Sequence, residues 1–335
     1  MILHNGSRFV PTVFQKRDLA GADHWVFVLK GTFLIGEDEA LHAAPDQAPI
    51  LDADAYRGDP ATSSLRVESD VTPLKPRSDV QIDAVARSPD GAPARAWIVR
   101  ARVGAIDKRL RVTGPRRWER GRLGYTLTDP EPCTEVPIVY ERAFGGVFRA
   151  GDRVEALEEN PVGVGFVPAD AQPSEAILPA PQIEDPDDPI GTLGAAHTPQ
   201  GLGPIARGWQ PRYARCGTLD EAWRAERWPA LPVDFDAAFY NGAHPDLVYP
   251  GYLRGDEEVV LEGVDPRPLR FTLPAVRVAL FAGPRREIPD PLLDTLFIDV
   301  PARRVIITWK AMFPVDGDLH VLGVWAGRPR EETHG

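Results

Sequence analysis

Apolar residues in this chain stand in short runs, either four or five together or alternating with polar positions, which is the spacing of strands rather than helices. The strongest run is Trp25-Val26-Phe27-Val28-Leu29, followed by Lys30-Gly31 and then Thr32-Phe33-Leu34-Ile35. Its β-branched and aromatic content predicts a buried strand, with a bulge at Gly31. Residues 9–14 predict a shorter strand at a sheet edge, because Pro11 has no N–H to give a central ladder. Residues 79–86, 96–103 and 108–113 alternate in turn, and Ser88-Pro89-Asp90-Gly91 makes a turn between the first two. The three read as an antiparallel meander with one buried and one charged face. Residues 135–140 add another strand.

Between 147 and 211 the pattern changes: Pro and Gly crowd the chain and neither period is visible. Apolar residues such as Ile177, Ile183 and Leu202 favour an arm packed on the surface over a free linker. Thr218 and Glu221 have the spacing of a capping box opening a short helix that Pro229 bounds. A second short helix is expected at 234–240, opened by Asp234 or Asp236. Strands resume at 257–262, 269–273, 277–281, 296–300, 305–310 and 319–325, with turns at Pro289-Asp290 and Asp316-Gly317, and are expected to form a second β layer. The class is therefore all-β: antiparallel, β-sandwich-like regions joined by a long irregular Pro/Gly-rich middle with one or two short helices. Segments 1–146, 147–250 and 251–335 are expected to form one compact unit.

The stretch 140–166 belongs to neither pattern. It reads Tyr140-Glu141-Arg142-Ala143-Phe144-Gly145-Gly146 and ends Glu159-Asn160-Pro161-Val162-Gly163-Val164-Gly165-Phe166. Glycines supply positive φ, proline removes a donor and the aromatics favour burial, so an ordered, irregular connection is expected beneath other elements. Trp209, Tyr213, Trp223 and Trp228 are expected to form an aromatic nucleus against it, with Arg207 and Arg212 stacked on the rings or paired with Glu141. Lys75, between Asp70 and Asp79 in a double-proline loop, has two readings: a buried ion pair fixing the loop, or exposed charges around a rigid turn.

Composition narrows the function. The chain has 335 residues, with 35 Pro, 8 Trp and a hydrophobic share of 43%. That proline share is about twice the usual ~5% and suits many short strands, while the apolar content argues against disorder. A net charge of −11 argues against nucleic acid as partner, and the basic run from Arg100 to Arg122 reads as a solvated strand face. Cys133 and Cys216 read as reduced thiols. No signal peptide and no apolar span of ~20 residues is visible, so a soluble cytoplasmic protein without membrane insertion is expected.

Catalytic signatures are sparse. No nucleophile elbow or phosphate loop occurs, and the seven histidines never take zinc-ligand spacing, so neither cofactor nor metal is expected. The acidic cluster at 184–188 and the pair Asp52 and Asp54 read as surface turns before calcium sites. Cys216 with His197 or His244 lacks a local signature for a nucleophile and base, and a structural thiol is preferred. Glu141, Asp220, Asp234 and Asp246 lie near aromatic residues, which keeps a carbohydrate-active or other hydrolytic enzyme as the alternative.

Seven blocks carry a resemblance when read in order. They are Leu29-Lys30-Gly31-Thr32-Phe33, Glu68-Ser69-Asp70-Val71-Thr72-Pro73-Leu74-Lys75-Pro76, the Tyr140 to Gly146 block, Asn160-Pro161-Val162-Gly163, Arg207-Gly208-Trp209, Gly217-Thr218-Leu219-Asp220 and Leu231-Pro232-Val233-Asp234-Phe235-Asp236. As a set they resemble a bacterial family of unknown function found in type VI secretion loci, whose members act as adaptors or chaperones for secreted toxins. The resemblance runs from the first strand to about Pro250, and Cys216 stands where a small residue such as Ala is expected. It implies a cytoplasmic, non-enzymatic protein that binds an effector before export and helps load it onto the spike formed by the tip protein and its PAAR-like cap. A structural accessory of the secretion machine is a further alternative. No catalytic residue carries over. The candidates for partner binding or for forming the motifs are Glu141, Arg142, Phe144, Gly145, Gly146, Asn160, Arg207, Trp209, Arg212 and Trp223; the surface near Phe144, Trp209 and Trp223 has two readings, a contact with a partner or, favoured for any one of the three, a place in the interior.

Overall fold

In a computed structural model of the chain, which describes residues 2–281, 288–315 and 321–327, the long apolar run is the strand Asp23–Ile35. Both of its faces are covered, which is why it reads as a continuous apolar run and not an alternating one. It pairs antiparallel along its length with Arg304–Pro314 and, on the other side, with Val10–Arg17. The latter is an edge strand, as Pro11 requires. The ladder to Arg304–Pro314 runs through Gly31 without a shift, so the expected bulge is absent. The glycine makes room instead: a Cβ there would stand 3.0 Å from the rings of Phe9 and Trp309, which stack on each other.

Leu292–Asp299 and Asp79–Asp83 complete this large sheet, the last pair parallel, and Leu41–Ala43 pairs with the end of Asp23–Ile35. A second, wholly antiparallel sheet has the order Ile183–Glu184, Ile106–Thr113, Ala96–Val103, Glu258–Glu262, Leu269–Thr272. The expected three-strand meander is therefore split, since Asp79–Asp83 lies in one sheet and its two successors in the other. Likewise, the C-terminal strands do not form a layer of their own: they interleave with N-terminal strands in both sheets. The inner faces share one continuous core that joins Leu29, Ile82 and Ile307 to Val99, Leu110 and Leu261. A smaller sheet joins Arg277–Phe281, Val321–Gly327 and Ile2–Asn5. The turn expected at Asp316-Gly317, and residues 319 and 320 of the last expected strand, lie outside the described residues.

The Pro/Gly-rich middle is stitched down more tightly than its composition suggests. It contains a hairpin, Val147–Ala150 with Arg153–Ala156, and Ile177–Pro179 joins Arg117–Gly121 and Gly124–Leu127 in a small sheet. Trp118, Phe144, Ala180 and Ile190 form a second core beneath it. The helix Glu221–Glu226 is opened by Asp220, which accepts from Trp223 N at 2.8 Å. Thr218, the expected cap, instead donates its hydroxyl to Asp234 at 2.7 Å. Asp236 opens the 3-10 turn Ala237–Tyr240. Among the described residues no helix is long and apolar enough to cross a membrane.

Candidate functional site

The two halves of the 140–166 stretch form a single knot around Asn160, which is 0% exposed. Its Nδ2 donates to Tyr140 O at 2.8 Å and Phe144 O at 3.0 Å, while its own carbonyl accepts from Gly146 N at 2.8 Å. The backbone has to pass very close. Gly145 has φ +151°, and a Cβ there would stand 2.2 Å from Asn160 O; at Gly146, with φ +101°, it would meet Gly163 O at 2.5 Å. Side chains outside the loop lock the knot in place. The Glu141 carboxylate accepts from Ser64 N at 2.7 Å and Ser64 Oγ at 2.8 Å. Arg142 donates to the Gln182 side chain and accepts from Gln182 N at 2.8 Å. Phe144 is buried edge-on against Phe166 and His197, and Trp209 edge-on against Tyr140.

Beside this knot lies a buried network of charges. Lys75 Nζ donates to Asp79 Oδ2 at 2.7 Å, Thr295 Oγ1 at 2.9 Å and Glu68 Oε2 at 3.3 Å, with Asp294 Oδ2 3.9 Å away. Of the two readings of Lys75, the buried pair is the one found. Of the two aspartates that flank it in sequence, Asp79 is the one that pairs with it, because Asp70 is held by Lys30 at 2.6 Å. Arg212 donates to Glu68 Oε1 at 2.6 Å and to the carbonyls of Ile205 and Phe239, with its guanidinium 5.4 Å from the Phe239 ring centre. Arg207 reaches Asp54 at 3.3 Å and Glu68 at 3.9 Å. Among the described residues neither arginine pairs with Glu141, contrary to expectation, because Glu141 points at Ser64.

The electrostatics follow from burial and partners. Burial opposes the charge on Glu68, yet Lys75 and Arg212 outweigh it and hold the carboxyl down to about 2. Burial likewise opposes the Lys75 ammonium, and Asp79, Glu68 and Asp294 raise it above the ordinary lysine range. Lys310, which donates to Thr72 Oγ1 at 2.6 Å, is pushed down by its burial. A second cluster places Lys108 Nζ 2.8 Å from Asp246 Oδ2 and 3.3 Å from His244 Nδ1. Burial and the Lys108 charge push His244 down to about 4.

The expected aromatic nucleus is divided. Tyr140 and Trp209 belong to the interior, whereas Trp223 and Trp228 pack edge-on with each other on the helical lobe. A continuous partner surface through Phe144, Trp209 and Trp223 is therefore not formed, because the first two face inward. The lobe exposes large apolar side chains among charged ones: Trp228 is 67% exposed and Val233 80%, with Tyr213 and Leu219 also exposed.

The groups weighed for catalysis have structural partners. Asp220 caps the helix, Asp234 holds Thr218 and Asp246 pairs with Lys108. Cys133 and Cys216 are free thiols that burial pushes up, and His197 lies 3.0 Å from Asp188. Among the described residues no group of three or more His, Cys, Asp or Glu could hold a metal ion. The acidic cluster is not wholly a surface turn, because Glu184 is buried between Arg111 and Arg116. The basic run is largely paired rather than free, as Arg100 with Asp107 and Arg109 with Asp187. Sequence reasoning missed Lys30, Glu68, Asp294 and Lys310 as members of one network, and no local spacing joins them.

No curated protein and no solved structure matches the chain. A family model described as an uncharacterized protein conserved in bacteria (DUF2169) does match, over residues 20–310. That span takes in the Asn160 knot, the Lys75 network and the helical lobe. The chain therefore belongs to the DUF2169 family of proteins conserved in bacteria.

Proposed function

We infer that this protein is an adaptor of type VI secretion, binding a toxic effector before export and helping to load it onto the spike formed by the tip protein and its PAAR-like cap. The motif resemblance suggests the pathway, and one observation supports a binding role: the exposed apolar lobe at 213–233. The helix Glu221–Glu226 has no buried residue, and the lobe exposes Trp228, Val233, Tyr213 and Leu219 to solvent. Large aromatics exposed together are unusual on a free surface and are enriched where partners dock. The Arg227 guanidinium ties the lobe to the N-terminal region by donating to Leu19 O at 3.1 Å, and Asp236 N closes the segment on itself by donating to Arg215 O at 3.0 Å. The acidic net charge favours encounter with a basic partner.

The test is co-purification at native level from a bacterium with active secretion, comparing wild type with Trp228→Ala. Recovery of a toxin encoded beside this gene together with tip protein and cap, weakened tenfold or more in the variant at an unchanged melting temperature, supports the reading. Recovery of neither toxin nor spike components rejects it.

A further inference from the structure

The large sheet has a second face, turned away from the common core. By strand alternation it carries Lys30, Gln81, Thr295, Phe297, Ile306 and Thr308, brought side by side by the register: Lys30 beside Thr308 and Thr295, and Gln81 beside Phe297 and Ile306. Residues 48–51 and 66–70 roof this face and leave a cavity of about 130 Å³. Apolar walls come from Leu51, Val67, Phe297 and Ile306, and the partly exposed Arg66 and Arg304 also line it.

Its hydrogen bonding is lopsided. The carboxylates lining it are already engaged: Glu68 by Arg212 and Lys75, Asp70 by Lys30 and Leu51 N, Asp294 by Lys75 N and Thr295, and Asp299 by Arg66 and Arg304. Donors remain over beside them. Among the described residues Lys30 Nζ, with three N–H groups, has Asp70 as its one acceptor. Gln81 is 1% exposed and its Nε2 has no partner, and neither has Arg304 Nε. A buried donor without an acceptor carries its full desolvation cost, so two of them around one cavity, beside a lysine with N–H groups to spare, call for an acceptor from outside the chain.

We propose that this cavity binds a small organic carboxylate, its oxygens accepting from Lys30, Gln81 and Arg304 and its short apolar stem resting on Leu51, Phe297 and Ile306. The size suits such a ligand, since an apolar cavity of about 150 Å³ holds benzene. A bare phosphate satisfies the donors and leaves the apolar walls empty. The carboxylate comes either from a free acid or from the end of a polypeptide whose last side chain enters the cavity. None of the residues lining the cavity belongs to the helical lobe, and the proposal does not depend on the adaptor reading.

Calorimetry on the full-length protein tests it, with benzoate, pentanoate, inorganic phosphate and a leucine-ended pentapeptide as free acid and as amide. Binding of benzoate or pentanoate, or of the peptide acid but not its amide, is expected; the first identifies a free acid and the second a polypeptide end as the source. Gln81→Leu, which keeps the volume and removes the unpartnered amide, should weaken that binding tenfold or more with the unliganded melting temperature unchanged or raised. Arg304→Gln should weaken it as well. Failure of every carboxylate to bind, phosphate binding as tightly as they do, or full affinity in Gln81→Leu overturns the proposal and leaves a water-filled cavity.

Discussion

Lys75 lies in the interior with Asp79, Glu68 and Asp294 around it. Desolvation costs several kcal/mol per buried ion, and the attraction offsets this only where the remaining polar atoms are also met. Asp79 meets that condition, accepting from Asn241 Nδ2 and Gly242 N at 2.8 Å each in addition to Lys75. Lys75→Met should therefore cost about 3–5 kcal/mol by stranding carboxylates, and Lys75→Arg should not restore the loss because a planar fork does not fit a site built for a point charge. Urea unfolding reads both; a wild-type midpoint in the methionine variant would contradict the assignment. Asn160→Ala takes its donor from the Phe144 carbonyl, while Tyr140 O keeps Ala143 N at 3.1 Å, and should cost about 1–3 kcal/mol by the same measurement. The sequence showed half of this. Asp79 stands four residues from Lys75, whereas Asp294 and Arg212 lie too far along the chain to leave a local pattern. The importance of Asn160 could be suspected from its surroundings, but its partners are main-chain carbonyls, which every residue possesses.

At the scale of elements, periodicity located most strands and Pro11 assigned an edge. What it could not assign was sheet membership. Alternation records which side of a strand is buried and not which neighbour covers it, so Asp79–Asp83 and Ala96–Val103 looked like partners though they lie in different sheets. The hairpin at 147–156 escaped notice because its strands have four residues each, too few for a period. The helical lobe shows how one side chain can organise a short element. A helix of six residues is marginal alone, and a lost N-cap costs about 1 kcal/mol. Asp220→Ala should raise hydrogen exchange across residues 221–228 while leaving global unfolding nearly unchanged. If the lobe is the binding surface, affinity for the effector falls in the same variant.

The whole molecule should be sensitive to acid. Held at about 4 by its burial and by Lys108, His244 is neutral in the folded protein near pH 7, whereas in the unfolded chain it takes a proton near its ordinary 6.5. The unfolded state thus binds more protons between pH 6.5 and 4, and stability falls as pH drops through that window. Glu68 acts lower down: its contribution is complete above pH 4.5 and is lost between 4.5 and about 2. Each is worth on the order of 3 kcal/mol. Urea midpoints measured from pH 7.5 to 4 should decline, and His244→Gln should flatten the part above pH 4.5; an identical slope in the variant would refute the role of His244.

The central ladder between Asp23–Ile35 and Arg304–Pro314 also has a consequence during synthesis. Its first strand leaves the ribosome roughly 270 residues before its partner, which at about 5–20 residues per second is a wait of roughly a quarter of a minute to a minute. Throughout that interval the most apolar stretch of the chain has only Val10–Arg17 and the three-residue Leu41–Ala43 to pair with. A hairpin so little extended is marginal in water, so until Arg304–Pro314 is made this stretch keeps an unpaired, apolar edge open to wrong partners.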